Sequence, residues 1–485
     1  MAGTNETTAD VVAGESTKGY KRAFAILTML FFMWGFITCL NDILIPYLKA
    51  VFELNYFEAM LIQFAFFGAY FVGSVIYFLI SMTYGDPIAK MGYKNGIILG
   101  LVIGAFGCVL FIPAAEYLIY GFFLSALFCL GLGMTVLQIA ANPYVAILGS
   151  PKTASSRLNL AQGFNSFGYT IAPLIGGYLI FSFFGGEDVV GADALKMPYL
   201  GLSGMFLLLA IIIKVNPLPK LINNEIIEKG AGALKFRHLV LGMVAIFMYV
   251  GAEVSIGSIL VNFFGLPEIA GLDETDASTF LSFYWGGTMI GRFLGAISLS
   301  NIASNKKYGL MIIIAIVAFL IIYGVTYLNT GVSFQEISPF LIFVVLNLLA
   351  FKLGNSNPQR TLAIFAGIAM LLLVIVLITT GKVAFWSVIA IGLFNSIMWS
   401  NVFTLSINGL GKYTSQASSL LVMAILGGAL VPLIQGALAD AIGLQMSFAL
   451  PIICYAYLMY YGIKGYKPKP LITDILSENE KTINK

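Results

Sequence analysis

"ASSRLNLAQGFNSFGYTIAPLIGGYL" at residues 154–179 and "ASSLLVMAILGGALVPLIQGAL" at residues 417–438 share one frame. Both open on "ASS", and with a four-residue gap both reach "PLI", one further residue and a glycine. A second, shorter pair is "FMWGF" at 32–36 and "FMYVG" at 247–251. Each stretch follows a polar loop read as lying on the same side, so the members of each pair run in the same direction. A chain that repeats itself in parallel inside apolar stretches reads as a membrane bundle of two related halves.

Composition supports that reading. Hydrophobic residues make up 59% of the 485 and charged residues 10%, against roughly 25% charged in soluble domains. Mean hydropathy is +0.93. This is the make-up of an integral membrane protein, one all-α bundle and not a string of soluble domains. A net charge of +3 offers nucleic acid no electrostatic footprint. Cys39, Cys108, Cys129 and Cys454 fall inside apolar runs and read as small core residues, not as a disulfide or metal framework. His238 is the single histidine, which excludes a multi-histidine metal site. The first seventeen residues hold no lysine or arginine and no cleavage pattern. The apolar run after them is too long for a signal peptide, so it reads as a retained first helix.

A bilayer core takes about 20 apolar residues per helix. Runs between polar breaks place spans near 23–48, 57–83, 94–113, 117–147, 157–184 and 198–215. They continue at 238–264, 276–300, 307–328, 337–352, 359–380, 384–409, 415–439 and 446–464. The polar stretch 216–237 is then a cytoplasmic linker between an N-terminal half, 23–215, and a C-terminal half, 238–464. Residues 1–22 and 465–485 are cytoplasmic tails. In this alternation Lys49, Lys196 and Lys382 fall in or beside outer loops, Arg292 falls within a span, and the other 22 of 26 lysines and arginines lie inside. Parallel repeats of six helices are the mark of major facilitator halves. Two of these fourteen spans are therefore extra, and removing the hairpin 303–356 restores six and six. Loops repeat too: "YGDPIAKMGYKNG", which holds Asp86, and "GRFLGAISLSNIASNKKYG" follow corresponding spans.

Three ionisable residues stay well within spans: Asp42, Glu253 and Arg292. A central charge costs ~2.5–3.5 kcal/mol on insertion scales, so such residues are functional by default. Arg292, in "MIGRFLG", lies toward the cytoplasmic end of its span, and its reading is structural: it snorkels or ties the helix to the next loop. Asp42, beside Asn41, has Pro46 one turn later, and a proline frees the carbonyl four residues before it. That pattern predicts a locally broken helix lining a cavity, against the plainer reading of a protonated acid hydrogen-bonded within the bundle. Glu253 aligns with Thr38, one turn before Asp42, and is surrounded by small residues that permit close helix approach. Asp42 and Glu253 are thus expected at similar depth on symmetry-related helices, sharing one proton or holding a cation between them, because neighbouring carboxyls in low dielectric seldom both ionise. A plain interhelical strut is the alternative for Glu253.

Amides form a second set. Gln138 and Asn142, with Pro143 beside them, are four apart on one helix face, and Asn159, Gln162 and Asn165 recur every three residues. Asn262, Asn395, Asn401 and Gln435 add amides in the second half. Any one of them can simply glue helices together. As a group they suit a polyhydroxy ligand, since each amide both donates and accepts. Trp34, Tyr249, Phe283, Tyr284, Trp285 and Trp399 supply aromatic faces.

At these residues the chain resembles the fucose–proton symporter family of the major facilitator superfamily. The matching stretches are "LNDILIPYL", "AANPYVAILG", "RLNLAQGFNSFG" and "GLGKYTSQASSLLVMAILGGALVPLIQG". The resemblance implies twelve core helices, a central cavity, and hexose or pentose uptake coupled to protons. It assigns substrate coupling to the aspartate of "LNDIL", here Asp42. Where that family carries a glutamate two residues before "AANP", this chain has Gln138. Where the fucose permeases carry a neutral amide, it has Glu253. That arrangement resembles the glucose/galactose and N-acetylglucosamine branch more closely, and it admits sodium as the coupling ion.

The sequence thus predicts a proton- or sodium-coupled hexose importer of the inner membrane, working as a monomer with both termini cytoplasmic and no bound cofactor or metal. Asp42 and Glu253 would couple the cation. Asn41, Gln138, Asn142, Asn159, Gln162, Asn165, Asn262, Trp285, Asn395 and Trp399 would meet the sugar. Pro46, Asp86, Pro143 and Arg292 would serve conformation. An exporter of lipids or drugs would want a cavity with few amides. A sensor would want an extramembrane domain, and an enzyme a long loop.

Overall fold

The computed structural model describes residues 17–54, 56–177, 192–219, 230–272 and 274–468, and every regular element among them is helical. A first group comprises α1 (Thr17–Phe52), α2 (Tyr56–Tyr84), the short α3 (Pro87–Met91), α4 (Tyr93–Val109), α5 (Phe111–Tyr117), α6 (Tyr120–Ile147), α7 (Ala154–Gly177) and α8 (Lys196–Val215). A second comprises α9 (Arg237–Gly265), α10 (Glu274–Ser298), α11 (Ser304–Thr330), α12 (Phe334–Ile337), α13 (Pro339–Gly354), α14 (Pro358–Ile378), α15 (Gly381–Asn395), α16 (Met398–Ser406), α17 (Thr414–Met423), α18 (Gly427–Ile442) and α19 (Ala449–Tyr460). Of the stretch 216–237, residues 220–229 lie outside the described residues, as do 1–16 and 469–485 of the tails.

Twelve described segments are long and apolar enough to cross a membrane. The helices α7 and α10 are not among them, because their inward faces carry Asn159, Gln162, Asn165 and Ser166, and Thr288 and Arg292, respectively. Large apolar side chains such as Phe64, Leu79, Phe106, Ile313, Leu346 and Leu433 stand exposed around the bundle, where a bilayer replaces the packing that a soluble core would supply.

Both groups use one pairing scheme. In the first, α1 packs on α7, α2 and α4 on α6, and α4 on α8; in the second, α9 packs on α18, α10 and α14 on α15, and α14 on α19. The repeat in the sequence explains this down to single atoms. In the four-residue-gap alignment Gly168 corresponds to Gly427, and Phe32 to Phe247. A Cβ on Gly168 would run into the carbonyl oxygen of Phe32, and a Cβ on Gly427 into that of Phe247. Small residues allow such backbone approach, and dispersion between closely packed helices replaces the missing hydrophobic drive inside a membrane. The helices α11 and α13 pack against α10, α14 and α15.

The expected break in α1 is absent: the helix runs continuously through Pro46, since one proline removes only one intrahelical bond and neighbours hold the ladder together. Pro143 likewise sits inside an unbroken α6. The interruptions fall elsewhere, at 396–397 between α15 and α16 and in the 3₁₀ turn 424–426 between α17 and α18. At the first of them, freed polar groups find local partners. Leu393 O accepts from Ser396 Oγ at 2.7 Å and from Asn347 Nδ2 of α13 at 3.1 Å.

The two groups join at the end where the 216–237 linker runs. There Ser155 Oγ meets Thr404 Oγ1 at 2.6 Å, Ser156 Oγ donates to Ala296 O at 2.5 Å, and Asn159 Nδ2 to Asn401 Oδ1 at 3.2 Å. On the other seam Gln416 Nε2 donates to Ser81 Oγ and to Gly230 O, while its Oε1 accepts from Ala233 N–H. Nearby Asp86 caps α3: its Oδ1 accepts from Ala89 N–H at 3.1 Å and from the Tyr77 hydroxyl at 2.6 Å.

Candidate functional site: a polar cavity between the helix groups

A cavity of about 900 Å³, its mouth included, lies between the two groups. Its wall follows helical spacing. Residues 162, 166 and 169 of α7 continue the stripe that begins with Ser155 and Asn159 at the linker end. Opposite them stand Trp285, Thr288 and Arg292 of α10. Trp34 and Thr38 of α1, Phe67 and Tyr70 of α2, Gln138 of α6 and Val250, Glu253 and Val254 of α9 close the sides, with Trp399 and Ile425 where the helices are interrupted. Thr38 and Glu253, which correspond in the repeat, both face this space.

Exposure is graded along the cavity. Gln162, Trp399 and Ile425, nearer the linker, are buried, while Thr38, Phe67, Tyr169, Val254 and Trp285 are half-buried. Together with the inter-group hydrogen bonds at the linker end, this gives a cavity closed toward the linker and reached from the opposite face. Tyr169 and Trp285 stack across the two groups, with centroids 6.4 Å apart and planes 25° from parallel. Trp399 stacks on Phe403 at 5.0 Å.

The charged centre is Glu253 and Arg292. Glu253 Oε1 accepts from the Tyr249 hydroxyl at 2.6 Å and stands 3.9 Å from an Arg292 Nη. The Arg292 side chain is 12% exposed, so it neither snorkels nor reaches a loop. Its guanidinium instead donates to Ser166 Oγ at 2.6 Å, to Gln162 O at 3.4 Å and to Ser396 O at 3.3 Å. Behind Glu253, Tyr284 donates to its backbone carbonyl at 3.0 Å. Asn395 then links Tyr284 and Tyr455, giving Nδ2 to the first at 2.9 Å and accepting from the second at 2.6 Å.

Of the residues expected at the site, Gln138, Gln162, Asn165, Trp285, Trp399 and Glu253 come together on the wall. Asn165 also ties α7 to α1 through Phe31 O at 3.1 Å. Asn142, Asn159 and Asn395 are fully buried and are not part of the wall. Asn142 has both amide atoms buried without a hydrogen-bond partner. Asn262 is exposed near the end of α9. The side chains of Asn41, Asp42 and Pro46 lie outside the described residues. Tyr70, Ser166, Tyr169 and Thr288 also line the wall and are not among the residues expected there. Ser166 was findable, one turn beyond Gln162 on the same face.

The family model for the Major Facilitator Superfamily matches residues 23–344. The chain belongs to the major facilitator superfamily. This facilitator is 48% identical to the "Glucose/galactose transporter" of Brucella abortus biovar 1 (strain 9-941), over 93% of this chain and 96% of that one. It is 31% identical to the "L-fucose-proton symporter" of Escherichia coli (strain K12), over 93% and 95%. A crystal structure of the transporter FucP in the outward conformation superposes with a TM-score of 0.71 at 30% identity, covering 92% of this facilitator and 98% of that chain. The family resemblance read from "LNDILIPYL" and "RLNLAQGFNSFG" is met by these relatives.

Proposed function

We propose that this facilitator is a secondary active sugar transporter, taking up a hexose such as glucose, galactose or mannose by alternating access with a coupled cation, the proton favoured over sodium. The observation that carries this reading is the cavity wall, which joins amides to aromatic faces. Gln138, Gln162 and Asn165 offer donors and acceptors to hydroxyls, while Trp34, Trp285 and Trp399 offer flat apolar surface to the C–H face of a pyranose ring. The relatives named for glucose, galactose and fucose support the same class. A lipid or drug exporter has no use for that amide set.

In this reading residues 23–215 and 238–464 are the two halves that rock about the site. Asp42 and Glu253 are the coupling carboxyls, and cation binding offsets the cost of burying their charge on closure. The linker end is cytoplasmic, so the closed seam through Ser155, Asn159 and Gln416 describes an outward-facing carrier. It acts as a monomer in a bacterial inner membrane with both termini inside. The helices α11 and α13 form a hairpin added to a twelve-helix core, for about fourteen crossings in all. The shared pairing scheme, which uses neither helix, supports that count.

The test is counterflow of a hexose panel in proteoliposomes, with and without sodium at two pH values. No counterflow of any hexose would sink the sugar reading. Glu253→Gln is expected to abolish gradient-driven accumulation and to keep counterflow; accumulation retained by that variant would remove Glu253 from coupling.

A further inference from the structure

We infer that Arg292 is a two-position cation that links the charge of Glu253 to the closure of the linker end. The inference deepens the transport reading and rests on it for the meaning of that closure. Arg292 and Glu253 are the only charged residues on the described cavity wall, yet they are not in close contact. At 3.9 Å the pair is stretched, and each ion keeps its short bond elsewhere: Glu253 with Tyr249 on its own helix, and Arg292 with Ser166 across the seam, both at 2.6 Å.

The geometry explains the division. Arg292 sits on α10 of the second group, as Glu253 sits on α9, while Ser166 and Gln162 O belong to α7 of the first. Its guanidinium spreads its donors across a fixed planar fork, so a bond to Ser166 bridges the groups and one to Glu253 stays within the second. Ser166 lies on the α7 stripe that carries Ser155 and Asn159. Holding Arg292 on Ser166 therefore holds the same seam. When the halves part at the linker end, Ser166 withdraws and the guanidinium closes on ionised Glu253. Neutral Glu253 removes that second position and favours the bridge. A ligand shifts a two-state equilibrium only through differential contacts, and Arg292 has them: its partner in one state is a hydroxyl of the other half, and in the other a carboxylate of its own. It is a positioning residue and needs no contact with sugar.

The experiment uses full-length protein in nanodiscs without sugar, with dyes at Lys152→Cys and Asn408→Cys, exposed positions at the linker end on opposite groups. The closed-to-open ratio is read from inter-dye distance. Ser166→Ala should lower it about tenfold, the scale of a hydrogen bond to a charged group, and Ser166→Thr should restore it. Glu253→Gln should raise it by a similar factor. In the charge-neutral Glu253→Gln/Arg292→Gln background, adding Ser166→Ala should move it less than about twofold, because the shift passes through Arg292. A Ser166→Ala effect that persists without Arg292, or a Glu253→Gln that leaves the ratio unchanged or lowers it, overturns the inference. Since no sugar is present, that failure is separate from failure of the sugar reading, which counterflow by the unaltered protein decides.

Discussion

Gly168 of α7 lies against the backbone of α1 so closely that a Cβ there would overlap the carbonyl oxygen of Phe32 and stand 2.8 Å from Phe36 N. Gly427 repeats the contact in the second group, where a Cβ would come 2.7 Å from the carbonyl carbon of Phe247. Both neighbours are helix backbone, which cannot swing aside as a side chain can.

Gly168→Ala and Gly427→Ala are each expected to destabilise the protein by about 1–3 kcal/mol, the usual range for overpacking. Gly204→Ala, at a glycine with nothing within 4 Å of the added Cβ, should be near neutral. Thermal unfolding in detergent distinguishes the three. An unshifted melting temperature in Gly168→Ala would show that α1 and α7 do not meet as described.

Tyr249→Phe removes the 2.6 Å hydrogen bond to Glu253. Bonds to a charged group contribute about 1.5–3 kcal/mol, so the initial rate of gradient-driven uptake should fall about tenfold or more while the protein still folds. Uptake within twofold of the parent would place the Tyr249 hydroxyl outside the coupling apparatus.

Asn395→Ala should weaken the fold without touching the cavity wall. It strands the Tyr455 hydroxyl, which is fully buried and donates to Asn395 Oδ1 at 2.6 Å. An unsatisfied buried group costs about 1–3 kcal/mol, and the loss should appear as a lower melting temperature. A null effect of Asn395→Ala would contradict the network.

Asp86 lies in the turn between α2 and α3, where burial raises its carboxyl above the ordinary 3.8, offset in part by the Tyr77 hydroxyl and Ala89 N–H. Its Oδ2 is buried without a hydrogen-bond partner. A group raised on folding adds stability that is fully present below its unfolded pKa and is lost as pH rises through the folded pKa. The parent should therefore gain on Asp86→Asn as pH falls from about 7 toward 4, because the asparagine does not titrate yet keeps an oxygen for the α3 cap. Melting curves of the two proteins that stay parallel across that range would exclude the linkage.

Much of this molecule was legible in one dimension. The apolar runs announced most of the helices, α11 and α13 between 300 and 360 among them. The "ASS…PLI" and "FM" repeats announced the pairing scheme, because a parallel duplication imposes equivalent contacts on both halves. Glu253 was conspicuous as a carboxyl among small apolar neighbours, and Gln138, Gln162 and Asn165 as amides at helical spacing. Periodicity says which face of a helix is polar, however, and does not say what faces it. So Asn142, Asn159 and Asn395 looked the same as the wall amides, although burial sets them apart from the cavity.

Arg292 marks the limit most clearly. From its place in the chain it read as a residue near a helix end, free to reach water. Only the packing of α7 against α10 sets Ser166 and Gln162 before it, with Glu253 on the neighbouring α9. The positions of the helix interruptions were also decided in three dimensions, since Pro46 and Pro143 leave their helices whole while residues 396–397 do not. The sequence by itself determined a duplicated helical membrane bundle, because hydropathy and repetition are local properties of the chain. The tertiary structure decided which polar groups converge, because hydrogen bonds and ion pairs are made between helices far apart in the chain.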